Sequence, residues 1–181
     1  MENNFSIIIS TCDKFSDLWD AHILLLNQNW ADRNVETFLV TDKPTDRTFE
    51  NITVVAAGEG TEITERLRVV MPLIQAKYVL FTLDDYFLTE KISTKAIRDD
   101  LDIMEVNNLD YLRLDVMSKK NLKNRKAVEI APQIYLMDNW AREYLVSLYT
   151  GIWKKSFMEQ TLGKTLNAWQ YEVALTNMAR E

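Results

Sequence analysis

Two adjacent carboxylates, Asp84 and Asp85, follow directly on the most apolar stretch of the chain, 78–83 (YVLFTL). An oxygen-only pair at the end of a buried strand suits Mg²⁺ or Mn²⁺ held jointly with a diphosphate. One or two protein carboxylates leave coordination positions open for phosphate oxygens. The plainer alternative is a polar strand end where one aspartate caps the next turn. Acids recur after other apolar runs: Asp13 after 5–11 (FSIIIST), Asp42 after 35–41 (VETFLVT), Glu59 and Glu62 after 52–56, and Asp115 after 111–114. A second candidate region is 149–172, where Trp153 and Trp169 accompany Glu172. Aromatic faces near a carboxylate suit a sugar platform with a general base, and equally suit core packing, the usual role of Trp.

Other chemistries fall away by count. A single cysteine, Cys12, excludes a disulfide framework, a four-cysteine zinc site and a CxxC pair. A single histidine, His22, excludes HExxH and multi-histidine metal sites, and no GxSxG elbow accompanies it for a serine triad. His22 reads as a satisfied core histidine on the apolar side of the first helix, and Cys12 as a small buried side chain. No GxxxxGK[ST] is present. GEGTE at 58–62 lacks the third glycine of a dinucleotide loop, so it reads as a turn plus a helix cap. Acid–base work therefore falls to carboxylates.

These residues need elements to position them. Strands are predicted over 5–11, 35–41, 52–56, 78–83 and 111–114. Between them the spacing predicts helices over 15–29, capped by Asp13 or Ser16, over 61–75, broken at Pro72, and over 93–106. That alternation argues an α/β fold with a largely parallel sheet, whose ligands sit at the carboxyl ends of the strands. Further on, short strands are predicted over 128–131, 134–137 and 144–148, and helices over 155–162 and 168–180. The basic run 117–125 (MSKKNLKNR) reads as a solvated loop.

With 181 residues and 47% hydrophobic composition, the chain is predicted to be one domain, 1–181. Lys+Arg 21 against Asp+Glu 27 gives a net charge of −6, which argues against a nucleic-acid partner. The N-terminus lacks the positive start of a signal peptide, and no apolar stretch reaches the about 20 residues that span a bilayer. The expectation is a cytoplasmic protein with at most peripheral membrane contact.

Three segments in order carry a resemblance: IIISTCDKF (7–15), VLFTLDDYFL (79–88) and SLYTGIWKKSFM with NAWQYE (147–158 and 167–172). Together they resemble GT-A nucleotide-sugar-dependent glycosyltransferases, particularly the small bacterial enzymes encoded with capsule and lipopolysaccharide genes. The resemblance implies a Rossmann-like, mostly parallel sheet flanked by helices, with a short mixed α+β C-terminal part. It implies a nucleotide-sugar-binding half, 1–115, and an acceptor-side half, 116–181. The implied activity moves a sugar from a nucleotide-diphosphate donor to a hydroxyl of a saccharide or lipid-linked acceptor, by inversion and with divalent-metal assistance, in surface polysaccharide synthesis.

By the same resemblance, Thr11 and Asp13 would meet the nucleotide, Arg66 would face the donor, and Asp84 and Asp85 would bind donor and metal. Asp85 is the implied ligand of Mg²⁺ or Mn²⁺, Glu172 the implied general base, and Trp153 and Trp169 the implied acceptor contacts. The motif is Asp-Asp rather than a spaced Asp-x-Asp, and no histidine follows His22 to act as a late metal ligand. Two alternatives stand beside this reading. One is a nucleotidyltransferase, although TCDKFSD (11–17) lacks the glycine-rich basic loop such an enzyme would want. The other is a catalytically silent GT-A-like binding module.

Overall fold

A computed structural model describes residues 4–115, 118–124, 126–137 and 144–180. The first strand, β1 (Phe5–Ser10), is buried along its whole length, as the FSIIIS run requires of a central strand covered on both faces. β2 (Thr37–Thr41), β3 (Thr53–Ala56) and β4 (Tyr78–Leu83) join it, all in parallel. Two later strands, β5 (Tyr111–Arg113) and β8 (Gly151–Lys154), complete a sheet of order β3-β2-β1-β4-β8-β5. β8 is antiparallel to both of its neighbours. A separate two-stranded sheet pairs β6 (Val128–Ala131) with β7 (Ile134–Leu136).

The period-2 alternation of side chains sorts the core into two layers. Ile7, Ile9, Leu80 and Ile152 face α1 (Trp19–Asn29) and α3 (Thr94–Val106). Ile8, Val79, Phe81 and Trp153 face α2 (Ile63–Val70), α5 (Lys155–Thr161) and α6 (Ala168–Met178). The result is a mixed α/β fold with a mostly parallel six-stranded sheet flanked by helices. Among the described residues, no helix is long and apolar enough to cross a membrane.

Several elements differ from the sequence expectation. The first helix begins at Trp19, because its buried residues Trp19, His22, Ile23 and Leu26 keep helical spacing only from that point. The residues before it form a 3₁₀ turn, Asp13–Phe15, leaving Phe15 exposed, and neither Asp13 nor Ser16 caps α1. Pro72 does end α2, within a 3₁₀ turn over Met71–Leu73. Part of the expected basic loop is a short helix, α4 (Lys119–Asn124), while Met117 and Arg125 lie outside the described residues.

The strand expected over 144–148 is absent. Tyr144 has a left-handed backbone (φ 61), and the Leu148 N–H donates to the Glu172 carboxylate (2.9 Å) instead of to a strand neighbour. The strand at this point is β8, three residues later and wedged between β4 and β5. Its first residue must be small: a Cβ on Gly151 would lie 2.9 Å from the Leu112 carbonyl oxygen.

Candidate functional site

Residues just beyond the parallel strands gather along one sheet edge. At its centre is a buried relay. The Trp19 indole Nε1 donates to Thr11 Oγ1 (2.7 Å), and the Thr11 hydroxyl donates to Asp84 Oδ2. All three side chains are buried, and β1 and β4 bring Thr11 and Asp84 together by register, since Ser10 pairs with Leu83. Burial pushes the Asp84 carboxyl above its ordinary value, while the Thr11 bond acts in the opposite direction. Asp85, the next residue, is exposed. The pair thus divides into one carboxylate tied into the fold and one facing solvent.

A second set surrounds the end of β2. Asp42 Oδ1 accepts the Asp13 backbone N–H (2.6 Å), which fixes the turn after β1 against the turn after β2. Burial acts to raise the Asp42 carboxyl, but bonds from the Asp13, Asp42 and Lys43 N–H groups and the Thr41 hydroxyl hold it low. The Asp13 carboxylate is exposed, with Lys43 Nζ 3.7 Å away. Arg47 holds the same turn from outside. It donates to the Ser16 carbonyl and lies 5.3 Å from the Trp19 ring. Arg66, on α2, donates to the Thr61 carbonyl, and its Nε is buried without an acceptor among the described residues. Cys12 lies within electrostatic reach of Arg66, Asp42 and Asp84, and burial raises its thiol. Thr11, Asp13, Arg66, Asp84 and Asp85 therefore belong to one edge.

The segment leading into β8 closes this edge on the β5 side. Thr82 and Thr150 share a hydroxyl–hydroxyl bond (2.8 Å). The rings of Tyr86 and Tyr149 lie 5.2 Å apart, and the Arg113 guanidinium stacks 3.8 Å from the Tyr149 ring while donating to Asp115. Tyr86 is pushed up to about 12, first by burial and then by Tyr149.

The remaining sequence candidates fall in three places. Glu172 is half-buried on α6, and its Oε1 anchors Leu148. Trp169 is 68% exposed and meets Tyr144 edge-on. Trp153 is fully buried between Phe81, Tyr111 and Phe157, so the acceptor contact expected of it gives way to core packing. His22 is the satisfied core histidine that the sequence suggests, and its partner lies at the end of β4. Its Nδ1 is 3.0 Å from the Asp84 carbonyl oxygen, an acceptor only, so Nδ1 carries the proton. The helical spacing Trp19, His22, Ile23, Leu26 puts His22 on the sheet-facing side.

The sheet order and the site at the strand ends define a GT-A-like fold of the Rossmann type. Among solved structures, it is similar to S. aureus TarS 1–349 in complex with UDP, at 18% identity and TM-score 0.61, covering 98% of this chain and 55% of that one. The same TarS fragment in complex with UDP-GlcNAc aligns at 16% identity and TM-score 0.54, over 96% and 54% of the two chains. The bifunctional IspDF from Campylobacter jejuni aligns at 16% identity and TM-score 0.52, over 97% and 47%. The chain spans from 33% to 55% of the length of the TarS structures it matches. No family model matches the chain, and no curated protein matches it in sequence.

Proposed function

We propose that the chain is a glycosyltransferase that takes a sugar from a nucleoside-diphosphate donor and passes it to a hydroxyl of a saccharide or lipid-linked acceptor. The observation that carries the reading is the single edge on which Thr11, Asp13, Arg66, Asp84 and Asp85 meet. The likeness in fold to TarS, solved with UDP and with UDP-GlcNAc, supports a nucleotide-sugar donor.

In this reading Asp13 and Asp42 form the nucleoside end, and the buried Thr11–Asp84 pair holds the turn that presents Asp85. Arg66, whose Nε has no acceptor among the described residues, faces the diphosphate. The donor set at Asp85 is one exposed carboxylate, which fits Mg²⁺ or Mn²⁺ completed by phosphate oxygens. Among the described residues no group of three or more His, Cys, Asp and Glu could cage a metal alone. When bound there, the cation would offset charge on the departing diphosphate. Glu172 takes the proton from the acceptor hydroxyl, and Trp169 offers an exposed ring to the acceptor.

Isothermal calorimetry with UDP, with and without Mn²⁺, tests the donor site. Binding that Asp85→Asn strips of its Mn²⁺ dependence supports the reading; folded protein that binds no nucleoside diphosphate overturns it. Glu172→Gln keeps an acceptor oxygen for the Leu148 N–H. It should spare UDP binding and lower turnover about 100-fold or more if Glu172 is the base. The likeness in fold to IspDF favours nucleotidyl transfer as a second reading. Release of pyrophosphate rather than nucleoside diphosphate would identify it.

A further inference from the structure

On the α1–α3 side of the sheet lies a cavity of about 490 Å³. Its floor is apolar and buried, with Ile7, Leu26, Trp30, Leu80 and Ile97. Protein interiors hold few voids larger than a water molecule, whereas small-molecule sites run from about 300 to 1,000 Å³. The walls are already fixed. Asn29 donates to the Leu88 carbonyl (2.7 Å) and accepts the Ile92 N–H (2.9 Å), which holds segment 86–92 against α1. Trp30 Nε1 is satisfied by Thr94 Oγ1 (3.0 Å), so the indole presents only apolar surface.

The exposed lining residues Phe87, Asp115 and Tyr149 mark an opening beside the turn that carries Asp85, and Tyr86 lines the same cavity. His22 links the two spaces, lining the cavity while bonded to Asp84. Among the described residues, the charged lining residues are both acids, Asp100 and Asp115.

We infer that this cavity binds the apolar body of an uncharged or cationic small molecule, whose hydroxyl or amine end emerges at the Asp85 edge as the acceptor. Its naming as acceptor rests on the glycosyl-transfer reading; its occupancy does not. An anionic ligand would meet the carboxylates of Asp100 and Asp115 there, the second of them paired with Arg113.

The single histidine gives a clean readout. The His22 ring signals are followed by NMR while the full chain is titrated with 2-naphthol, 2-naphthylmethylamine or 2-naphthoate. Shifts with the alcohol and the amine, and binding of the carboxylate about tenfold weaker or less, are expected. Ala96→Trp, which builds an indole into the lining from an exposed helix position, should abolish the shift and leave UDP binding unchanged. Asp100→Asn combined with Asp115→Asn should narrow the gap between alcohol and carboxylate in protein of native packing. Equal binding of the carboxylate by the native chain, no shift with any probe, or an unchanged titration in folded Ala96→Trp overturns the inference. UDP binding without naphthol binding overturns this inference alone. Naphthol binding without UDP binding supports the cavity site and overturns the glycosyl-transfer reading.

Discussion

Thr11→Val is the sharpest test of the buried relay that holds Asp84. Valine keeps the shape of threonine, so the change removes a hydroxyl without opening a cavity. That hydroxyl accepts from Trp19 Nε1 (2.7 Å) and donates to Asp84 Oδ2, and all three residues are buried. A hydrogen bond to a charged group is worth about 1.5–3 kcal/mol and a neutral one about 1, so the loss should total about 2.5–4 kcal/mol at pH 7. The larger share belongs to the ionised Asp84. In an Asp84→Asn background the same substitution should therefore cost about 1.5 kcal/mol less.

Urea denaturation of the four proteins in this cycle gives the coupling. The pH dependence supplies a second check. Burial raises the folded Asp84 value above its unfolded value near 3.9, so proton binding favours the folded state. The stability linked to this proton is complete below the unfolded value and is lost as pH rises through the folded one. Removing the Thr11 donor extends that window upward, so the cost of Thr11→Val should shrink as pH falls from 7 towards 4. Additive costs within about 0.5 kcal/mol, with no pH trend, would refute the relay as drawn.

Three further expectations follow from packing and burial. Trp153→Ala should cost about 3–5 kcal/mol in urea denaturation, whereas exposed Trp169→Ala should stay within about 0.5 kcal/mol and alter only acceptor turnover. Gly151→Ala brings a Cβ to 2.9 Å from the Leu112 carbonyl oxygen; a loss of about 1–3 kcal/mol, with faster amide exchange in β5, is expected. Burial lowers the His22 value, so its stability contribution is present above the unfolded value near 6.5 and lost as pH falls below it. The native chain should lose stability over that window more steeply than His22→Gln does, as read from urea midpoints.

The sequence made the parallel half legible because its signals are local. Ile7, Ile8 and Ile9 in β1 and the run ending at Asp84 announce buried strands, and the acids after them then fall on one edge by topology alone. What stayed hidden depends on long-range pairing. β8 has four residues and begins with glycine, and its strand character comes from lying between Leu80 and Leu112 through Ile152. Trp153 looked like a platform because its type suits one, but alternation along β8 turns it into the core. His22 is legible as a satisfied core histidine, but its partner is not, because a backbone carbonyl from residue 84 is invisible from residue 22.

The segment 147–150 joins the two faces of the sheet, and this bears on how the base proposed on α6 and the acceptor cavity inferred beside α1 would serve one reaction. Leu148 packs in the layer containing Tyr171 and Leu175, and its N–H is held by Glu172. The next two residues, Tyr149 and Thr150, line the cavity in the opposite layer and touch Tyr86 and Thr82. Any shift of the Glu172 carboxylate is thus passed within two residues to the cavity rim. Glu172→Ala should loosen that rim as well as remove a base, while Glu172→Gln should remove the base alone. If naphthol binding weakens in Glu172→Ala but not in Glu172→Gln, the carboxylate has a positioning role separable from proton transfer. Equal weakening in both would place the charge of Glu172, rather than its bond to Leu148, in control of the rim.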